Sequence, residues 1–204
     1  MQVKSHSSPY KYCSTSYINN SKMNSSNVLI LPGWQNSGPL HWQTLWENQH
    51  GYQRVQQHNW QRPLRGDWLV RLEETLLTCT EPAVLVAHST GCLLVAAWAA
   101  HSQNTHRVKA ALLVAPGDLE RPDVRERIPG WAPISLAPLP FPSALIASRN
   151  DPYCAFERSQ LFAHAWGAHF VDYGDVGHIN ADTHDLLSWE DGHALLKTLM
   201  EDNK

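Results

Sequence analysis

The chain has 204 residues, of which 43% are hydrophobic and 17% charged, as expected for one globular domain and not for a wholly disordered chain. Lys and Arg number 16 and Asp and Glu 19, and the resulting net charge of −3 argues against nucleic-acid or anionic-membrane partners. No apolar run approaches the length of a membrane span, so we expect a soluble, cytoplasmic protein.

Residues 1–26 differ in composition from the rest of the chain. They are rich in Ser, Asn, Tyr and Lys, and they lack the apolar segment of a signal peptide. We therefore predict a polar, poorly ordered tail over residues 1–26 and a single domain over residues 27–204. The four cysteines form no CxxC pair and no metal-ligand spacing, which predicts free thiols and no metal site.

From Asn27 onward, short apolar runs alternate with longer amphipathic segments. The predicted strands are Val28–Leu31, Ala83–Ala87, Val108–Ala115, Ala144–Ala147 and His169–Val171, with a weaker candidate at Tyr52–Gln57. The predicted helices are His41–Gln49, Asp67–Thr78, Thr90–His101, Cys154–Trp166 and Trp189–Met200, with Asp67 as a candidate N-cap. This alternation predicts an α/β fold, in which helices flank both faces of a central, mostly parallel sheet.

The segment Pro116–Pro142 interrupts this alternation. It carries seven prolines and little periodicity, so it can form neither a regular helix nor a central strand. Two interpretations stay open. The segment covers the carboxyl ends of the strands, where ligands bind in such sheets, or it is a plain surface loop.

The motif Ala87-His88-Ser89-Thr90-Gly91 follows a predicted strand and precedes a helix of small residues. This is the context of the G-x-S-x-G nucleophile elbow, in which a strained turn lifts the serine hydroxyl above the sheet. The strand and helix backbones approach closely there, so the residues two before and two after the serine must be small. Ala87 and Gly91 meet this requirement. Ser89 is therefore the predicted nucleophile, and the alternative is a serine that only caps the helix.

A serine hydroxyl needs a base, and α/β-hydrolases present the acid and then the histidine after the serine in chain order. His178 lies in a glycine-containing loop after the last predicted strand, and we assign it as the base. Six other histidines are expected to be surface or half-buried residues: His101, His106, His164, His169, His184 and His193. His88 is expected to point away from the serine, because side chains alternate along a strand.

Asp151 is the predicted acid. It follows the predicted strand Ala144–Ala147 and precedes a proline. From there it would orient the imidazole of His178 and stabilise the imidazolium. Asp118, which follows the preceding strand, is the rival candidate, and strand order favours Asp151.

Acyl transfer also needs N–H donors aimed at the developing oxyanion. We assign one donor to the main-chain N–H of Thr90, directly after the nucleophile. The second should come from the loop after the first core strand, and we assign it to Trp34, with Gln35 as the alternative. No H-E-x-x-H motif or similar metal-ligand spacing accompanies these residues.

At these residues the chain resembles the small serine hydrolases related to retinoblastoma-binding protein nine and the bacterial YdeN proteins. The resemblance runs from about Val28 to Met200, and its matches are Pro32-Gly33-Trp34, Ser37, His41-Trp42, Trp46, the Trp60–Trp68 segment, His88-Ser89-Thr90-Gly91-Cys92, Asn150-Asp151-Pro152, Gly177-His178-Ile179-Asn180 and Trp189. It implies an α/β-hydrolase fold with little or no cap domain and a triad on Ser89, Asp151 and His178. It does not imply a particular substrate.

The sequence thus predicts a serine hydrolase that cleaves a small acyl ester through an acyl-enzyme and needs no cofactor. Two alternatives stay open. One is amide, aminopeptidase-like or thioester hydrolysis on the same triad. The other is a non-catalytic interaction protein that keeps the fold. Neither the acyl group nor the oligomeric state follows from the sequence.

Overall fold

The computed structural model describes residues 27–182 and 188–201, so the predicted tail over residues 1–26 lies outside the described residues. The strands are β1 Val28–Leu31, β2 Gln53–Arg54, β3 Ala83–His88, β4 Val108–Val114, β5 Ser143–Ala147 and β6 His169–Asp172. The helices are α1 Trp42–His50, α2 Arg65–Thr78, α3 Thr90–Ala99, α4 Pro122–Arg125, α5 Phe156–Trp166 and α6 Glu190–Glu201. Within the two described ranges, none of these helices has the length and apolar character that a bilayer crossing requires.

The strands form one sheet in the spatial order β2-β1-β3-β4-β5-β6, and every pair is parallel. The chain leaves β1 toward one side to form β2, returns to β3 on the other side, and continues outward from there. Such a reversal leaves a crevice at the carboxyl ends of β1 and β3, where ligands bind in α/β sheets. The loops that follow these two strands therefore meet at a natural binding position.

Successive residues of the strands face two separate hydrophobic clusters. On one face, Leu29, Leu85 and Leu113 pack with residues of α2, α3 and α5. On the other face, Ile30 and Val86 pack with residues of α1 and α6. Because both faces are covered, the central strands are apolar at nearly every position rather than at every second one.

The five strongly predicted strands agree with the observed ones to within one residue at each end. The weaker candidate at Tyr52–Gln57 shortens to Gln53–Arg54 at the edge of the sheet. The expectation that Asp67 caps the second helix is wrong, because α2 begins at Arg65 and its N-cap, Leu64, makes no side-chain cap hydrogen bond. α2 is stabilised by the packing of its buried face, which carries Trp68, Leu72 and Leu76.

The proline-rich segment between β4 and β5 packs against the fold and forms no separate cap domain. It contains the short helix α4, and its residues Ile128, Trp131 and Ile134 are buried. The Trp131 indole N–H donates to Pro63 O at 2.9 Å, which anchors the segment to the loop before α2. The first part of the segment lies over the carboxyl ends of the strands, as the first of the two interpretations holds.

Candidate active site

Ser89 lies in the turn between β3 and α3, where the sequence predicts a nucleophile. Its backbone has φ 55° and ψ −122°, a positive-φ conformation that non-glycine residues rarely adopt. Its N–H donates to Val114 O at the end of β4, at 3.0 Å. The turn thus has the strained geometry of a nucleophile elbow.

Two glycines permit close packing of the chain around Ser89. A Cβ atom on Gly91 would lie 2.2 Å from Leu31 O, so the close approach that the sequence argument requires two positions after the serine is present. A Cβ atom on Gly33 would lie 2.7 Å from Ser89 Cβ and 3.2 Å from Ser89 Oγ. The loop after β1 therefore runs directly against the serine, as an oxyanion loop must.

His178 and Asp151 form a buried hydrogen-bonded pair. The imidazole Nδ1 lies 2.8 Å from Asp151 Oδ2 and 3.0 Å from Oδ1. When Nδ1–H donates to the carboxylate, Nε2 of the neutral ring carries a lone pair and can accept a proton. The two side chains are only 9% and 3% exposed, and low exposure strengthens the interaction between a carboxylate and an imidazolium.

The loop that carries His178 is tied to the turn that follows β5. Ser148 Oγ accepts a hydrogen bond from the Val176 N–H at 2.9 Å, and Asn150 Oδ1 accepts one from the Gly177 N–H at 2.7 Å. Both acceptors lie just before the acid in the chain. The position of the base relative to the acid is therefore fixed by main-chain contacts as well as by the pair itself.

Asp118, the rival acid, lines the same cavity as Ser89 but pairs with other groups. Its carboxylate lies 3.6 Å from Arg158 Nε and accepts a hydrogen bond from the Glu120 N–H. In the described part of the chain, the carboxylate that hydrogen-bonds His178 is that of Asp151. The geometry therefore favours Asp151, as strand order does.

The two main-chain donors assigned to the oxyanion are available. Among the residues that the structure describes, the N–H groups of Trp34 and Thr90 donate to no protein acceptor. The N–H of Gln35, the alternative donor, is used by Trp60 O at 2.9 Å. Trp34 and Thr90 therefore remain the better pair.

Ser89 and His178 line one cavity of about 240 Å³, together with Trp34 and Thr90. Asp151 contacts His178 and does not line the cavity itself. The cavity is lined by the apolar residues Leu119, Val124 and Ile128 and by polar residues that include Asn36, His41, Arg127 and Asn180. No hydrogen bond joins Ser89 Oγ to His178 within the described ranges, and catalytic hydrogen bonds often tighten only when substrate binds.

The sequence analysis missed two buried histidines at this cavity, His41 and His88. The His88 ring packs against Trp42, on the same face of the sheet as Val84 and Val86, and its Nε2 lies 2.9 Å from His178 O. His88 is the last residue of β3, and the positive-φ turn begins at Ser89. The only sequence signal for these two histidines was that both fall in segments that match the family.

Burial keeps both histidines neutral. It lowers the pKa of His41 to about 3, and the charges of Arg54 and His178 act in the same direction. Burial also lowers the pKa of His88 well below its ordinary value. The histidines outside the active site were expected to be exposed or half-buried, and this is wrong for His193, which packs between α1 and α6 and is also buried.

Two of the cysteines that the structure describes are too weakly acidic to compete with Ser89. Cys79, Cys92 and Cys154 are free thiols, as predicted. Burial raises the pKa of Cys154 to about 12 and also raises the pKa of Cys92, so neither thiol forms a thiolate near neutral pH. Across residues 27–182 and 188–201, no three His, Cys, Asp or Glu side chains are grouped so as to hold a metal ion.

Comparisons with known proteins support the fold and show the family of this chain. The sequence model of the serine hydrolase family matches residues 28–198. A protein from Pectobacterium atrosepticum, described as a YdeN-like hydrolase, is 32% identical with a TM-score of 0.76 over 86% of this chain and 90% of that one. The ydeN product of B. subtilis is 23% identical with a TM-score of 0.63 over 85% of this chain and 97% of that one.

More distant proteins share the fold alone. Est1E from Butyrivibrio proteoclasticus is 14% identical with a TM-score of 0.62 over 85% of this chain and 88% of that one. Fold and site together define a hydrolase with the α/β-hydrolase fold. The chain belongs to the serine hydrolase family, and the resemblance to YdeN-like proteins is confirmed.

Proposed function

We propose that the protein is a carboxylesterase-like enzyme that cleaves small acyl esters with Ser89, His178 and Asp151. The observation that carries this proposal is the buried contact between His178 and Asp151 beside the cavity that Ser89 lines. An aspartate on Nδ1 selects the imidazole tautomer whose Nε2 can take a serine proton. The strained turn at Ser89 supports the same assignment.

The first half of the reaction forms an acyl-enzyme. Ser89 Oγ bonds to the ester carbonyl carbon while His178 Nε2 takes the hydroxyl proton. Asp151 stabilises the imidazolium, and the N–H groups of Trp34 and Thr90 donate to the oxyanion. The tetrahedral intermediate collapses, its bond to the alcohol oxygen breaks, and the imidazolium gives its proton to the leaving alcohol.

The second half returns the enzyme to its starting state. Water loses a proton to His178 Nε2 as its oxygen bonds to the acyl carbon. The bond from the acyl carbon to Ser89 Oγ then breaks, the imidazolium returns the proton to Oγ, and the carboxylic acid leaves.

The cavity supports a small substrate. Its volume of about 240 Å³ is below the range of roughly 300–1,000 Å³ that is common for drug-sized ligands. Leu119 and Ile128 offer an apolar surface for a short acyl or alcohol group, while Asn36 and Asn180 offer polar contacts.

A fluorophosphonate probe tests the nucleophile. We expect the probe to label the wild-type protein and the Ser135→Ala variant, and not the Ser89→Ala variant. Ser135 is a suitable control because it lies in the proline-rich segment and does not line the cavity. Undiminished labelling of the Ser89→Ala variant would show that Ser89 is not the nucleophile.

A substrate panel then separates the reaction classes. Matched p-nitrophenyl esters, thioesters and aminoacyl amides should rank with the esters first. A higher kcat/KM on amides or thioesters would replace the ester assignment and leave the triad intact. Wild-type protein that reacts with neither the probe nor any substrate would point to a non-catalytic interaction protein.

A further inference from the structure

Two buried side chains hold the main chain of the loop that carries His178. His88 Nε2 lies 2.9 Å from the carbonyl oxygen of His178, and the Trp42 indole N–H donates to the carbonyl oxygen of Ile179 at 2.8 Å. Ile179 has a φ of 48°, so the loop contains a backbone conformation that needs support from its surroundings. Both supporting side chains are at most 5% exposed, and water therefore competes little for these carbonyl groups.

The direction of the first hydrogen bond follows from the chemistry of its acceptor. A main-chain carbonyl can only accept, so His88 Nε2 must carry the proton and donate it. Burial keeps the ring of His88 neutral, which leaves Nδ1 without a proton. His88 is thus a neutral, permanent donor and cannot serve as a second base through Nε2.

A second buried histidine, His41, packs against the ring of His88. His41 Nδ1 accepts the Gln43 N–H at 3.2 Å, so the proton of His41 is on Nε2. Within the described residues that Nε2 has no hydrogen-bond partner, and the ring packs edge-on against His88 with centroids 4.8 Å apart. His41 therefore packs against the ring of His88 and does not hydrogen-bond the carbonyl of His178.

We infer that His88 is a positioning residue, whose Nε2–H holds the main-chain carbonyl of His178 and so fixes the imidazole of that base relative to Ser89. The inference rests on the proposed function, in which His178 is the base. His88 directly precedes Ser89, so one strand end carries both the nucleophile and the support for the base. The distance between Ser89 and His178 then depends on a direct contact at the end of β3, and not only on the spacing between β3 and β6.

Substitutions at His88 separate positioning from packing. His88→Gln keeps an N–H donor at nearly the same reach, whereas His88→Leu removes the donor and keeps an apolar side chain. We expect kcat to stay within a few-fold of wild type for His88→Gln and to fall by up to about 100-fold for His88→Leu, the cost of displacing a catalytic group by about 1 Å. KM should change little, because His88 acts on the base and not on substrate binding.

Two further variants control for misfolding of His88→Leu and for the general effect of removing a buried histidine. His88→Asn keeps the amide chemistry but ends one bond short of the carbonyl, so it should lose kcat as His88→Leu does, even if the leucine variant does not fold. His193→Leu removes a different buried histidine, which hydrogen-bonds Tyr52 outside the cavity, and should keep the wild-type kcat. Equal losses for His88→Gln and His88→Leu would overturn the inference, because the loss would then reflect packing alone.

A spectroscopic measurement tests the inference independently of turnover. The proton between His178 Nδ1 and Asp151 should give a downfield NMR resonance in wild type and His88→Gln, and this resonance should broaden or vanish in His88→Leu and His88→Asn. An unchanged resonance in all four proteins would overturn the inference. Failure of the proposed function would instead show as probe labelling that survives Ser89→Ala, so the two failures are distinguishable.

Discussion

One wall of the cavity is built from loops at strand ends and another from the chain crossover between β4 and β5. The strand-end wall carries Ser89 and His178 on short connections that hydrogen bonds hold in place. The crossover wall carries Leu119, Val124 and Ile128 in the proline-rich segment between β4 and β5. The proposed reacting groups are therefore held by hydrogen-bonded turns at the strand ends, while the apolar lining residues belong to a different segment of the chain.

The largest expected effect tests whether Asp151 or Asp118 is the acid that supports His178. Asp151→Asn should lower kcat by about 10⁴-fold, because an amide favours the wrong imidazole tautomer and cannot stabilise the imidazolium. Asp118→Asn is the matched control: it also alters an aspartate after a strand, yet Asp118 pairs with Arg158 and not with the base. Steady-state kinetics on one p-nitrophenyl ester compare them, and a larger loss for Asp118→Asn would reverse the assignment.

The second prediction concerns the close packing of the oxyanion loop on Ser89. Gly33→Ala places a Cβ atom 2.7 Å from Ser89 Cβ, so either the loop or the serine must shift. We expect kcat to fall by up to about 100-fold, as for a misplacement of about 1 Å. Gly38→Ala, in the same loop, meets no atom within 4 Å and should leave kcat unchanged. Similar kcat values for the two variants would mean that loop placement does not limit the reaction.

The strand-end wall could be predicted from sequence because each of its features has a local cause. Apolar runs identify buried parallel strands, and carboxyl ends of parallel strands meet at one edge. Chain order then selects Asp151 and His178 once Ser89 is placed in its turn. The contacts of His88 could not be predicted in this way, because they are made with α1 and with the loop of His178, which are distant in the chain.

The crossover wall could not be predicted in the same way. Prolines remove the periodicity on which element prediction depends, so the short helix Pro122–Arg125 was not foreseen. Which side chains of this segment face the core is decided by distant partners, as when Trp131 donates to Pro63 O. Cavity shape, and with it the acyl group, depends on these contacts rather than on any local pattern.

The third prediction concerns the stability of the protein at acid pH and uses two buried histidines that line the cavity, His41 and His88. The crossover segment contains no histidine. The pKa of His41 is about 3 in the folded protein against 6.5 ordinarily, so the unfolded chain binds more protons between these values. The free energy of unfolding should therefore fall as pH drops from 6.5 toward 3. The His41 contribution has a slope of up to about 1.4 kcal/mol per pH unit, and His88 adds to it.

Urea unfolding between pH 8 and pH 4 measures this slope. His41→Asn removes the titrating ring but keeps a side chain that can accept the Gln43 N–H at the start of α1, so it should show a shallower loss of stability at acid pH. Parallel curves for wild type and His41→Asn would contradict the prediction, because the acid sensitivity would then arise from other groups.

The smallest expected effect tests the crossover wall. Ile128→Ala enlarges the apolar part of the cavity, and Ile134→Ala removes the same side chain from a buried position in the same segment that does not line the cavity. Both should lower the free energy of unfolding, by about 2–5 kcal/mol. Only Ile128→Ala should shift kcat/KM toward longer acyl chains, by roughly 10-fold in the ratio of octanoate to acetate p-nitrophenyl esters. If Ile134→Ala shifted that ratio equally, the segment would set selectivity through its overall placement and not through the side chains that face the substrate.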